Sequence, residues 1–465
     1  MQQQYLPESR LRWTWSGPKT PIWPTEPDCA AIIRLAGSAL ACNPDLLNVQ
    51  FFAQGAVNKL FDVLHKPTDS ADKSPPVYIF RVSVPVDPFY KTESEVATLK
   101  YLGSNTEISV ATVIAWDSSS KNELGYEWIL LEKVPGVELG QVWRKIPWNE
   151  KLNLARSLAV YSIQLWSLEF TTIGSLYLNG WKARKDYAFG TEGQTRASDS
   201  SPHTGGMSAG FVVGPIVAPF YFKERHLHTP SNRGPYLTSQ EYMREKIDLE
   251  SSYKSDEIEF KSTRVEEVLN ELEEDFLEDC DSILDLCKGY LEALPTIFPA
   301  QDSLAEGPFV PCHEDLNQGN ILVDPETFAI TGIIDWEMIS IVPLWQARSF
   351  PKLFNGIDPA DSVMFGESDK SRVLEEPPRP ENYDIEDDDS IHSDIRSYAI
   401  SKRDVWDNWL LRKAFSEALA QQGVHVEASV SEKRQRTFDE GVSLLNYRWK
   451  YAKGLLEIDL KVDNA

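Results

Sequence analysis

Apolar positions change their period several times along this chain, and each change marks an element. Over residues 28–42, Asp28 stands before Ala30, Ile32, Ile33, Leu35 and Ala36, a capping residue followed by helical spacing, which predicts a first helix. Three runs of strand character follow at 49–54, 59–64 and 77–84, the last β-branched and aromatic, with a polar loop over 66–76. Val96, Leu99 and Leu102 then recur at helical spacing within 92–102. Two further strands fit 111–116 and 128–132, with the turn-rich 117–125 between them. Together these make a small lobe of about five antiparallel strands with one embedded helix.

The pattern changes after Val134-Pro135-Gly136. Residues 149–170 carry Leu152, Leu154, Leu158, Tyr161, Ile163, Leu165 and Trp166, an amphipathic helix. Residues 183–235 are rich in Gly, Ser, Thr and Pro and read as a long insertion without strong periodicity. Helix is predicted again over 264–294, with a Glu-heavy face, and over the last 60 or so residues, which hold Trp406, Trp409 and Trp449. Residues 381–389 form an acidic run beside several prolines and read as a solvated loop. No internal repeat is present. The division that follows is an extension with a helix over 1–47, a small lobe over 48–134 and a larger lobe over 135–465.

Length and charge narrow the partners. With 465 residues, 42% hydrophobic and 25% charged, the chain has ordinary globular usage and length for two or three domains. Lys and Arg total 46 against 71 Asp and Glu, a formal charge of −25 that repels nucleic acids and anionic membranes, so neither partner is expected. The longest apolar run, 211–222, is broken by Gly214, Pro215 and Pro219 and falls short of the ~20 residues a bilayer requires. The N-terminus lacks the apolar core of a secretory signal. Arg10, Arg12 and Lys19 against Glu8 leave a mitochondrial address as the weaker alternative to a cytoplasmic one. The five cysteines are scattered and form no CxxC pair, which argues for a reducing compartment without disulfides or zinc of the usual spacing. Cys280 and Cys287, roughly 10 Å apart along a helix, cannot bridge. Cys312 reads as core packing, and His226 and His228 as exposed polar residues.

The chemistry concentrates in Cys312-His313-Glu314-Asp315-Leu316-Asn317-Gln318-Gly319-Asn320, a pattern of the form H-x-D-x-x-x-x-N, followed by the short strand Ile321-Leu322-Val323. Fifteen residues after Asn320, a second apolar strand ends in Asp335-Trp336-Glu337. A hairpin turning at Asp324-Pro325-Glu326 would bring Asn320 and Asp335 to one end. That pairing suits phosphoryl transfer: one carboxylate accepts the acceptor's hydroxyl proton, while an amide oxygen and a second carboxylate hold Mg²⁺ on nucleotide phosphates. Mg²⁺ prefers oxygen ligands, so Asn with Asp is a suitable set.

These motifs, at this joint spacing, resemble the aminoglycoside phosphotransferase and choline kinase-like family. The resemblance implies an α+β, two-lobed protein-kinase-like fold, with a small antiparallel N-lobe and a larger, mainly helical C-lobe. It implies a phosphotransferase with ATP as donor, GTP being the alternative, with Mg²⁺ and a small-molecule acceptor bearing a hydroxyl, and a monomer or weak homodimer. His313 and Asp315 stand where the family has its catalytic loop, with His313 holding Asp315, the catalytic base. Asn320 and Asp335 stand at the metal positions. Gln54-Gly55-Ala56-Val57-Asn58-Lys59 resembles the family's short phosphate turn, which places Gly55, Ala56 and Asn58 at the phosphates. Arg81 stands at the phosphate-contacting cation, with Glu95 as its helix partner and Glu93 as the fallback. The hinge would read an adenine edge through the carbonyl of Glu132 and the N–H of Val134, since Pro135 has no N–H to give. Phe211-Val212-Val213-Gly214-Pro215, Arg233-Gly234-Pro235, Trp336, Glu337 and Trp345 are candidates for an acceptor pocket or lid. The alternatives are a nucleotide-binding module without turnover and a protein kinase; the missing GxGxxG and the D-W-E in place of D-F-G weigh against the second.

Overall fold

The computed structural model describes residues 11–13, 21–66, 77–181, 210–222, 231–262, 271–299, 306–356, 393–424, 429–445 and 448–460. The loop expected over 66–76 lies almost wholly outside these residues, and His226, His228, residues 263–270 and the acidic run 381–389 lie outside them entirely.

The chain opens with a small antiparallel pair, Arg12–Trp13 (β1) and Pro21–Ile22 (β2). Helix α1, Cys29–Ala39, begins where Asp28 Oδ1 accepts the Ala30 N–H at 2.9 Å, the cap the sequence predicted. Next come β3 (Leu47–Gln54), β4 (Asn58–His65), β5 (Val77–Ser83), helix α2 (Tyr90–Asn105), β6 (Val113–Asp117) and β7 (Glu127–Glu132). The strands form one antiparallel sheet in the order β3-β4-β5-β7-β6. This is the N-lobe, and its two faces do different things. Phe61, Val63, Phe80 and Val82 face Ala31, Ile32 and Ala36 of α1 and close the outer core. Ile129 and Leu131 face the other way, onto Val96, Leu99 and Leu102 of α2.

Helix α2 has no solvated face. Its residues Ala97 and Tyr101 pack against Phe170, Ile173 and Leu176, so it lies between the sheet and the second lobe. That second lobe begins at β8 (Val137–Glu138) and α3 (Leu139–Val142), then runs through α4 (Trp148–Trp166), β9 (Ser175–Leu178), β10 (Phe211–Gly214), α5 (Pro219–Phe222), α6 (Ser239–Ser262) and α7 (Glu271–Ile297). Strands β11 (Phe309–Cys312), β12 (Ile321–Val323), β13 (Ile330–Ile333) and β14 (Ser340–Pro343) lead into α8 (Leu344–Ala347), and three further helices span Ser393–Gln421, Val430–Leu444 and Trp449–Gly454. The architecture is therefore the α+β, two-lobed kinase-like one, with a mainly helical C-lobe.

Two expectations change. The insertion 183–235 contains β10, which pairs antiparallel with β9. The helix expected over 264–294 corresponds to α7, and a further helix, α6, precedes it from Ser239 in a stretch that carried no helical signal. Its inward side holds Lys246, Glu250 and Lys254 beside Met243, Ile247 and Leu249, so charge interrupts the apolar stripe that periodicity relies on.

The hinge is fixed at Gly136, whose φ of +115° only glycine adopts freely. A Cβ there would run into Thr331 Oγ1 and lie 2.8 Å from the Val323 carbonyl oxygen. Beside it, Thr331 Oγ1 donates to the Pro135 carbonyl at 2.6 Å, and β8 pairs with β12, so the linker is stitched to the β12–β13 hairpin.

Candidate active site

Strand β11 delivers His313, Glu314 and Asp315 to the mouth of the interlobe cleft, and the β12–β13 hairpin returns Asp335 beside them. Ile321 pairs with Ile333, and the Ile334 N–H donates to the Asn320 carbonyl at 3.0 Å, so Asn320 and Asp335 share one end of the hairpin as expected. Asn320 Nδ2 donates to the Asp315 carbonyl at 2.8 Å and approaches Asp315 Oδ2 at 3.3 Å. The structure thus brings Asp315, Asn320 and Asp335 together.

His313 holds this loop. Its Nε2 lies 3.0 Å from the Ile334 carbonyl, which can only accept, so Nε2 carries the proton. Nδ1 then accepts the Asp315 N–H at 3.3 Å. Acceptance at Nδ1 requires the neutral ring. Burial pushes its pKa down, against the pull of the Ile334 carbonyl and Asp315. The ring meets Trp336 edge-on with centroids 4.8 Å apart, and Trp336 is buried with its Nε1 on the Ile333 carbonyl.

Asp315 is open to the cleft. Burial of part of its surface would raise its pKa, but bonds from Lys352 and Asn317 outweigh that and hold it below the ordinary value. Lys352 Nζ stands 3.0 Å from Asp315 Oδ1. Asp335 has the left-handed φ of +64° that turns its side chain out of the strand. Asp335 is exposed as a residue, and its carboxylate is enclosed in part. That partial burial and the neighbouring Glu337 carboxylate push its pKa up to about 6.

Above this floor lies a buried ion cluster. Arg81 is paired with Glu95, and both are almost wholly buried. Glu93, the fallback, instead accepts from Trp116 Nε1 at 3.0 Å and Ser118 Oγ at 2.6 Å. Glu337 Oε2 receives three donors from the N-lobe: Asn58 Nδ2 at 2.7 Å, Lys91 Nζ at 2.7 Å and Arg81 Nη2 at 3.1 Å. Lys91 Nζ also reaches Asn58 Oδ1 at 3.0 Å and Ser83 Oγ at 3.3 Å, so its three protons are all placed. Burial alone would raise the Glu337 pKa, but Lys91 and Arg81 hold it down at about 2. For Lys91, burial lowers the pKa against the pull of Glu337.

Gly55 and Ala56 sit exposed in the turn between β3 and β4, where a Cβ added at Gly55 would meet open space. Asn58 points the other way, into the ion cluster. At the hinge, Glu132 donates its N–H to the Thr112 carbonyl at 2.9 Å. Val134 follows it, half-buried against Gly332.

Of the residues expected to form an acceptor pocket or lid, Glu337 belongs to the ion cluster beside Asp335. Trp336 and Trp345 are core residues, and Arg233 is half-buried in an ion pair with the buried Asp87, tying the segment before Tyr236 to the loop that enters α2. Cys312 is buried, and burial pushes its thiol up. Two residues escaped the sequence reading, Lys91 and Lys352. Lys91 did leave a signal: a lysine in the first turn of a helix faces the positive end of the dipole and needs a compensating anion.

Residues 248–346 match the model of the phosphotransferase enzyme family, and that segment contains both the H-x-D-x-x-x-x-N loop and Asp335-Trp336-Glu337. The resemblance to the aminoglycoside phosphotransferase and choline kinase-like family is therefore borne out where its motifs lie. A subtelomeric hrmA-associated cluster protein of Aspergillus fumigatus is 23% identical over 368 residues, covering 73% of this chain and 64% of that protein. The chain thus spans less than two thirds of that relative's length. Altered inheritance of mitochondria protein 9 of Meyerozyma guilliermondii is 27% identical over 138 residues, 29% of this chain and 22% of that protein. Among solved structures, a thermostable mutant of aminoglycoside phosphotransferase APH(4)-Ia with ADP and hygromycin B is 10% identical, covers 94% of this chain and 99% of that one, and gives a TM-score of 0.41. Choline kinase from Cryptosporidium parvum is 15% identical, with 92% and 94% covered and a TM-score of 0.35.

Proposed function

We propose that this protein transfers the γ-phosphoryl group of ATP to a hydroxyl of a small-molecule acceptor, with Asp315 as the base. The observation that carries the reading is the convergence of Asp315, Asn320 and Asp335 on one end of the β12–β13 hairpin, beside a cluster of N-lobe cations. Asp315 orients the acceptor hydroxyl and takes its proton, and His313 keeps Asp315 in place through the loop backbone. Arg81, steadied by Glu95, meets the phosphates entering beneath the Gly55-Ala56 turn. Glu132 and Val134 present backbone groups to the base. Most of the rate then comes from positioning and fixed charge.

A magnesium ion fits the residues present. Asn320 donates through its amide nitrogen and no bond to its Oδ1 is found among the described residues, while Asp335 offers a carboxylate that burial and then Glu337 make reluctant to ionise. Among the described residues no three His, Cys, Asp or Glu side chains cluster as a metal site. That agrees with an ion held by one amide, one carboxylate and substrate phosphates. Bound there, it would neutralise charge on the β- and γ-phosphates. All five cysteines are free, which supports a reducing compartment such as the cytoplasm, and among the described residues no helix is long and apolar enough to cross a membrane.

The test is a screen of metabolite extracts for products phosphorylated in an ATP-dependent way, with the Asp315→Asn protein as blank. Asp315→Asn and Asp335→Asn should each remove transfer and leave the fold intact, and normal turnover in either defeats the assignment. One observation favours a second reading, a nucleotide-binding module without turnover: Arg81 and Lys91 are already neutralised by Glu95 and Glu337. Thermal stabilisation by Mg·ATP without hydrolysis, whatever acceptor is offered, would select it.

A further inference from the structure

The loop 313–320 contains no lysine or arginine. The N-lobe cations Arg81 and Lys91 are both bound to carboxylates, Arg81 to Glu95 and Glu337, and Lys91 to Glu337. Yet charge builds on the transferring phosphoryl oxygens, and a positive group fixed beside them lowers the barrier. Lys352 stands where such a group is needed, six residues beyond the segment that matches the family model.

How Lys352 is held shows that its placement is built. It opens the short helical turn Lys352–Phe354. The Leu353 N–H donates to the Leu316 carbonyl at 2.8 Å, which fastens this turn to the loop bearing Asp315. Leu353 and Phe354 are buried in the core, and Arg412 Nη1 donates to the Phe354 carbonyl at 2.7 Å from the far side. With its two neighbours buried, Lys352 is the residue of the turn left facing the cleft, its Nζ 3.0 Å from Asp315 Oδ1. Its side chain is 52% exposed and that of Asp315 50%. An ion pair so exposed adds little to stability, so it does not hold the turn. The backbone bond and the two buried side chains do that.

We propose that Lys352 contacts the γ-phosphoryl group as it passes to an acceptor held at Asp315, supplying there the positive charge that the loop 313–320 lacks. This rests on the proposed function above. The two carboxylate oxygens divide the work: Oδ1 faces Lys352, while Oδ2 lies 3.3 Å from the Asn320 amide and receives the acceptor hydroxyl. In the transfer, a lone pair on the acceptor oxygen forms the new P–O bond as the bond from the γ-phosphorus to the β–γ bridging oxygen breaks. That electron pair leaves on ADP, the hydroxyl proton passes to Asp315, and Lys352 keeps its proton throughout.

The experiment compares the full chain with Lys352→Met and Lys352→Arg, measuring affinity for Mg·ADP and for a non-hydrolysable Mg·ATP analogue, together with ATP turnover. Lys352→Met should weaken the analogue about tenfold, the loss of one charged hydrogen bond, and leave ADP within about twofold. Turnover should fall on the order of 10²-fold, and Lys352→Arg should restore the preference for the analogue. Equal losses for ADP and the analogue would mean that Lys352 only supports the loop, which overturns the proposal. So would a Met variant that binds both like wild type, in which case the kinase reading stands without it. Wild-type protein that binds neither nucleotide overturns the kinase reading and this proposal with it.

Discussion

A single oxygen, Glu337 Oε2, receives hydrogen bonds from β4, β5 and α2, through Asn58, Arg81 and Lys91. Lys91 and Arg81 are so enclosed that neither can find water if this carboxylate is lost. Glu337→Ala should therefore cost about 3 kcal/mol, the penalty of a buried charge left without its partner. Urea unfolding measures it, and a loss below 1 kcal/mol would show that the cluster rearranges at little cost. Asp335, two residues away, makes the opposite case. Its folded pKa is raised to about 6, so its contribution to stability is present at low pH and is lost as pH rises through 6. A ligand that needs the ionised carboxylate must expel that proton. Calorimetry of Mg·ADP binding in buffers of different ionisation enthalpy should record proton release near pH 6 that fades by pH 8. In Asp335→Asn the pH-dependent part should vanish, and an unchanged release would assign it to another group.

Elements whose inward residues kept an apolar period were legible in the sequence, and the element whose inward side carries charge was not. The strands of the small sheet came from alternating or β-branched runs bounded by turn residues, and α1 from Asp28 followed by an apolar stripe. The loop and hairpin carrying Asp315, Asn320 and Asp335 were legible because their chemistry forces residue types into fixed spacing. Helix α2 was placed by Val96, Leu99 and Leu102, but nothing in that spacing says that Lys91 would be buried beside Glu337, because the contact joins residues far apart in the chain. Helix α6 escaped because charged side chains turn inward. Lys352 was invisible for the reason that hid Lys91: its meaning comes from a tertiary bond, Leu353 to Leu316. The hinge makes a prediction at this scale. Gly136→Ala would put a methyl group against Thr331 and Val323 at a φ of +115°, prying the linker from the β12–β13 hairpin. A loss of about 2 kcal/mol is expected in thermal unfolding, and an unchanged melting temperature would mean that the linker can swing aside freely.

For the whole molecule, the question is whether two lobes mean two folding units. The core argues that they do not. One contiguous apolar cluster contains Val96, Leu99, Leu102, Ile129 and Leu131 from the small lobe together with Leu154, Leu158, Ile321, Ile333 and Trp336 from the large one. Two polar links reinforce it: Glu337 to Arg81 and Lys91, and Asp87 to Arg233. Opening the lobes would expose that shared apolar surface to water and strand buried charges on both sides at once, so neither lobe retains much of its stability alone. A freely hinging kinase would keep separate cores and a wet interface between them. Calorimetric unfolding of the full chain should accordingly give one transition whose calorimetric and van't Hoff enthalpies agree. Native-state hydrogen exchange should give the slowest amides of β4 and β5 the same opening free energy as those of α4. Two resolved transitions, or β4 and β5 opening well before α4, would show that the small lobe folds as a unit of its own and that the ion cluster at Glu337 closes the cleft without unifying the fold.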